Sequence, residues 1–150
     1  MTRTSSAAVV RVVRLVPVRP ERVYEAWIDP AILARWISPL GRAEAAVEPW
    51  VGGRLQVTMI ESDVRIEHTG EYRELVPGRR LVFTWQSPYT GTGPSVVTVE
   101  LEPVDTGTAL TLVHEHLPPD GVDSHRGGWG QILDRLSAVL GAEPRDGGLS

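Results

Sequence analysis

The 150-residue chain contains no cysteine. That excludes disulfide bonds, thiol nucleophiles and cysteine-bound zinc, and it fits a reducing compartment. Long apolar runs are missing too. The N-terminal stretch "MTRTSSAAVVRVVRLV" is cut by Arg11 and Arg14, so it lacks the unbroken core of a signal peptide and the ~20 apolar residues of a membrane span. The expectation is a soluble, cytoplasmic protein with no membrane partner. The net charge is −4 with the signs mixed, and basic residues gather in nothing larger than pairs such as Arg79-Arg80. Nucleic acid is therefore not an expected partner. There is also no Gly-x-Ser-x-Gly elbow, no zincin motif and no phosphate loop, and no residue is assigned as catalytic.

What is present reads as one domain. A chain of this length buries about 68–70% of its unfolded surface and needs neither disulfide nor metal to fold. "AVVRVVRLVPV" (8–18) is β-branched and predicts a strand. In "RPERVYEAWIDP", Pro20 stands where a helix would begin, and Val23, Ala26 and Trp27 fall at helical spacing. Asp29-Pro30 ends that helix and can cap a second one, which carries Leu33, Trp36 and Ile37 on one face. From 43 to 117 the pattern alternates with period two and is broken at Gly52-Gly53, Pro77-Gly78 and "DTG". "DSHRGGWGQILDRLSAVLGAEP" closes the chain with a helical stripe of Trp129, Ile132, Leu133, Leu136, Val139 and Leu140, with Asp123 or Ser124 as its expected cap.

The element order is therefore β-α-α-β(6)-α, an α+β domain over 7–141 with poorly ordered tails at 1–6 and 142–150. The long helix has only the apolar face of a curved antiparallel sheet on which to bury its stripe. Particular segments go further: "VYEAWIDPAILARWISP", "VGGRL", "GEYRELVPGRRLVFTW", "SVVTVELEP", "GTALTLVHEHL" and "GGWGQILDRL". In order, they resemble the motifs of the AHSA-type branch (homologues of the activator of the heat-shock protein 90 ATPase) of the START-like, or SRPBCC, superfamily. The resemblance runs from about residue 8 to 141. It implies the helix-grip fold, a sheet wrapped around the C-terminal helix, and an elongated cavity between the two for a small hydrophobic molecule.

Carried over position by position, the resemblance implies a cavity lined by Trp36, Leu55, Val57, Met59, Tyr72, Phe83, Trp85, Val97, Val99 and Leu112, with Trp129, Ile132 and Leu133 from the helix. His114 shares the parity of Leu110 and Leu112, so it would be the polar group in that apolar face, with His116 nearer the rim. Most buried apolar residues only pack, so plain core is the competing reading for each of them. The two histidines could also start a zinc site with His125 or Asp123, but local geometry places only two ligands together, so no metal and no cofactor is expected. Gly127, Gly128 and Gly130 each cost the helix about 1 kcal/mol relative to alanine, which calls for a ligand approaching the backbone, a mouth to the cavity, close helix-to-sheet packing or a frayed helix start. Binding of a small hydrophobic ligand is the leading function. The alternatives are a co-chaperone-like module that stimulates a chaperone ATPase, and a cyclase or aromatase-type enzyme using the same cavity. Further partners compatible with the resemblance are a second copy of the chain, as a homodimer, and a chaperone.

Overall fold

The computed structural model describes residues 9–39, 42–91 and 93–142. The expected tails lie outside these residues, except that Ala142 closes the last helix. The order of elements is β1 (Val10–Val16), α1 (Pro20–Ile28), α2 (Pro30–Trp36), β2 (Arg42–Val47), β3 (Arg54–Glu61), β4 (Val64–Val76), β5 (Arg80–Trp85), β6 (Ser95–Val104), β7 (Gly107–Glu115) and α3 (Val122–Ala142). The strands form one curled antiparallel sheet in the order β1-β7-β6-β5-β4-β3-β2. This is the α+β helix-grip arrangement, with the expected β-α-α-β(6)-α sequence.

Period two decides which face each strand buries. In β7, Thr108, Leu110, Leu112 and His114 are buried, and in β6 Ser95, Val97, Val99 and Leu101 are buried beside them. The strand β4 is long, 13 residues, because it serves both halves of the sheet. Its first half pairs with β3 and its second half with β5. Gly70 sits at the join, where a β-carbon would stand only 1.9 Å from the backbone oxygen of Thr84. Just past it, the Glu71 amide donates to Thr84 Oγ1 at 2.9 Å. A glycine is what lets the two strands approach this closely at the bend.

The two short helices close one end of the sheet. Pro20 begins α1, whose buried face is Val23, Tyr24, Ala26 and Trp27. Asp29 then caps α2 as its sequence position predicts: Oδ1 accepts from the amides of Ala31 at 2.9 Å and Ile32 at 3.2 Å. Trp36 fastens the two helices together by donating its indole N–H to the Ala26 carbonyl at 3.2 Å. Replacing Asp29 with alanine should lower stability by about 1 kcal/mol, read from a urea midpoint, because two helix amides lose their acceptor. An unchanged midpoint would mean that water replaces the cap without cost.

The helix α3 starts differently from the expectation. A 3-10 turn over Pro119–Gly121 runs straight into it, so neither Asp123 nor Ser124 is the N-cap. Ser124 Oγ instead bonds back to the Gly121 carbonyl at 3.3 Å, and His125 Nδ1 meets the same oxygen at 2.8 Å. Trp129, Ile132, Leu133, Leu136 and Leu140 of α3 are buried. Along β1 the helix is pinned by Arg14 Nε to Asp134 at 2.8 Å and by Ser137 Oγ to the Leu15 carbonyl at 3.3 Å. These contacts cover an edge strand that would otherwise offer unpaired backbone.

Candidate functional site

Every residue expected to line a cavity is buried or half-buried in the layer between sheet and helices. Leu55 and Val57 of β3, Tyr72 of β4 and Phe83 and Trp85 of β5 are at most 3% exposed, and Met59 is half-buried. On the other half of the sheet, Val97, Val99, Leu112 and His114 are fully buried, in one core with Trp129, Ile132 and Leu133 of α3 and Trp36 of α2. Their aromatic rings form a continuous series. Trp27 meets Trp36 edge-on with ring centres 4.6 Å apart, then Phe83 at 6.1 Å and Trp129 at 6.3 Å, and Trp129 in turn meets Trp85 at 5.8 Å. Trp27 belongs to this series although it is not among the residues expected to line the cavity. Its place follows from helical spacing with Val23 and Tyr24.

The polar centre of this layer is His114. Trp129 Nε1 donates to His114 Nδ1 at 2.9 Å, so that nitrogen carries no proton. The proton then sits on Nε2, which donates to Ser95 Oγ at 2.7 Å, and Ser95 passes its own hydrogen to the Trp85 carbonyl. One chain of hydrogen bonds thus joins α3, β7, β6 and β5 and satisfies both nitrogens of the ring. Burial, with a smaller contribution from nearby His125, pulls the His114 pKa down to about 3. At neutral pH the imidazole is uncharged and fully engaged, which leaves it no free nitrogen for a metal and no proton poised near neutrality for acid–base work. Ser95 was not singled out from sequence. The signal was there: it shares the inward parity of Val97 and Val99 and is the polar member of that row.

The other histidines do not join His114 in a ligand set. His116 lies beyond the end of β7, exposed, with φ of 67°, so it does not continue the strand face. The His125 ring stands 5.2 Å from His114 and nearly perpendicular to it, while His68, paired across from Val57, stacks 4.9 Å from Trp85. Burial also lowers the His68 pKa. Among the described residues, no group of three or more His, Asp or Glu is placed to hold a metal ion.

Two features of the layer are not accounted for by packing. Among the described residues, the Tyr72 hydroxyl and the Trp27 indole N–H are buried with no hydrogen-bond partner. Half-buried Gly128, beside Trp129 in α3, has no described residue within 4 Å of where a β-carbon would project, and neither does exposed Gly127. Close helix-to-sheet packing is therefore not the reason for these two glycines. Gly130 differs, since a β-carbon there would come within 3.1 Å of the Arg14 guanidinium. A separate concavity of about 970 Å³ opens beside the start of α1, lined by Glu21, Glu74, Arg80, Glu100 and Glu102 among others. Arg80 pairs there with Glu74 at 3.1 Å and with Glu100, an exposed ion network away from the aromatic layer.

A curled sheet gripping one long helix over an aromatic layer defines a START-like domain. The family model described as "Activator of Hsp90 ATPase homolog 1-like protein" matches residues 17–141, and the chain belongs to that family. Among solved structures, protein CV1439 from Chromobacterium violaceum is 31% identical, with 91% of this chain and 99% of that one covered and a TM-score of 0.80. Protein MLL2253 from Mesorhizobium loti is 28% identical, with 88% and 96% covered and a TM-score of 0.70. DynU16, a protein of the dynemicin biosynthetic locus, is 25% identical over 90% of this chain and 48% of its own, with a TM-score of 0.73. No curated protein matches the chain. No helix among the described residues is long and apolar enough to cross a membrane.

Proposed function

We propose that the protein binds a small hydrophobic molecule between the sheet and α3, in the layer walled by Trp36, Tyr72, Phe83, Trp85 and Trp129. The observation that carries this reading is Gly128. It is half-buried beside Trp129 at the edge of the buried face of α3, costs the helix about 1 kcal/mol relative to alanine, and faces open space where a side chain would otherwise project. An opening kept clear at the expense of helix stability fits an entrance to a binding layer. In this reading His114 is a wall and a brace: its nitrogens are already occupied, so the polar recognition expected of it passes to other groups.

The test uses the neutral fluorescent probe N-phenyl-1-naphthylamine. Wild-type protein should bind it saturably, with quenching of the buried tryptophans. The Gly128→Phe variant should fill the opening and bind at least about tenfold more weakly while melting no lower than wild type, since phenylalanine is the better helix former. Absence of saturable binding by wild type would overturn the reading. Stimulation of a heat-shock chaperone ATPase by that same protein would then favour the interaction role that the family description suggests.

A further inference from the structure

Tyr72 is 1% exposed and Trp27 is 3% exposed, and the polar atom of each lacks a partner among the described residues. Buried donors left unmade are costly and uncommon in folded proteins, so such a pair calls for a reason. The two side chains share one neighbourhood. The Phe83 ring lies 6.2 Å from that of Tyr72 and 6.1 Å from that of Trp27, so both side chains border the same ring. The polar groups around them are matched: Trp36 to Ala26, Trp129 to His114, and Ser95 to Trp85. What remains has one chemical character. An indole N–H can only donate, and burial, reinforced by nearby Tyr24, pushes the Tyr72 phenol pKa up so that it keeps its proton. Among the described residues no Arg, Asp or Glu is buried, so an anionic group would enter without a counter-charge.

We infer that the molecule bound in this layer is uncharged and carries carbonyl oxygen, as a ketone, quinone or ester does, and that Tyr72 and Trp27 are the donors that select it. This rests on the binding reading above and gives it a chemical class. The flat apolar body of such a ligand would pack against the tryptophan rings, while its oxygen would accept the hydrogen bonds that the protein leaves unmade.

Fluorenone and fluorene form a size-matched pair that differs in one carbonyl oxygen. Wild-type protein should bind fluorenone about three- to tenfold more tightly than fluorene, the range expected for one or two net hydrogen bonds. Tyr72→Phe should reduce that preference without weakening fluorene, and Trp27→Phe should act in the same direction. Ligand-free Tyr72→Phe should also melt about 3 °C higher, because an unmatched hydroxyl has been removed. If wild type and Tyr72→Phe bind both compounds alike, the donors are unused and the inference falls while the binding layer stands. If neither compound binds, the layer itself is not a site and both readings fall. Tighter binding of fluorene-9-carboxylate than of fluorenone would overturn the uncharged class, and a lower melting point for Tyr72→Phe would show that the hydroxyl already has a partner.

Discussion

Lowering the pH from 7.5 to 4.5 should cost the folded protein about 2–3 kcal/mol through His114 alone. The unfolded imidazole takes up a proton below its ordinary pKa of 6.5, whereas the folded one resists down to about 3. The unfolded state therefore binds more protons between these limits, and stability falls by roughly 1.4 kcal/mol for each pH unit as the solution is acidified through that window. Above pH 6.5 the contribution is complete and flat. His68, whose pKa is also lowered by burial, adds to the slope in the same direction. Urea denaturation at a series of pH values checks the prediction, with His114→Gln as the diagnostic variant. Glutamine can accept from Trp129 and donate to Ser95 but has no proton to gain, so its stability should vary much less across the same range. An equally steep loss in His114→Gln would assign the acid sensitivity elsewhere.

Gly70→Ala should be strongly damaging for so small a substitution, lowering stability by about 3–5 kcal/mol. The added carbon would lie 1.9 Å from the Thr84 backbone oxygen, and that oxygen cannot retreat as the end of a flexible side chain would. Relief requires β4 and β5 to separate where the sheet bends, which disturbs Tyr72 and Phe83 on the following pair. Gly127→Ala is the control: with open space at that position the same change should raise stability by up to about 1 kcal/mol through helix propensity. Equal midpoints for the two alanine variants would show that the Gly70 contact relaxes at no cost.

The features legible in the sequence were those written into local chemistry. Asp29-Pro30 carries both a stop and a start, and both side-chain hydrogen bonds form at the cap. Parity along Val97, Val99 and Leu101, and along Leu110, Leu112 and His114, gave the buried face of two strands correctly. The partners of His114 were less accessible because they depend on register. Val97 stands opposite His114, and Trp85 opposite Ser95, through turn and loop lengths that one sequence does not convert into pairing. The start of α3 was misplaced because Asp123 and Ser124 have the chemistry of a cap, whereas a preceding 3-10 turn already supplies the first helical carbonyls. The isolation of Tyr72 and Trp27 was invisible for a different reason: lacking a partner is a property of everything that surrounds a group.

The strand order bears on how this chain reaches its fold. From β2 to β7 every neighbour in the sheet is also the neighbour in sequence, so these pairings need only short loops to close. The exception is β1, which pairs Val10 with His114 and Val16 with Thr108 across nearly the whole domain. Its other support, through Arg14 and the Leu15 carbonyl, comes from residues 134 and 137 of α3. Both surfaces that receive β1 are thus made last during synthesis, and the meander from β2 to β7 can form while the first strand waits. The one high-separation pairing should therefore set the pace of the final closure, with the strand made first being the last to dock.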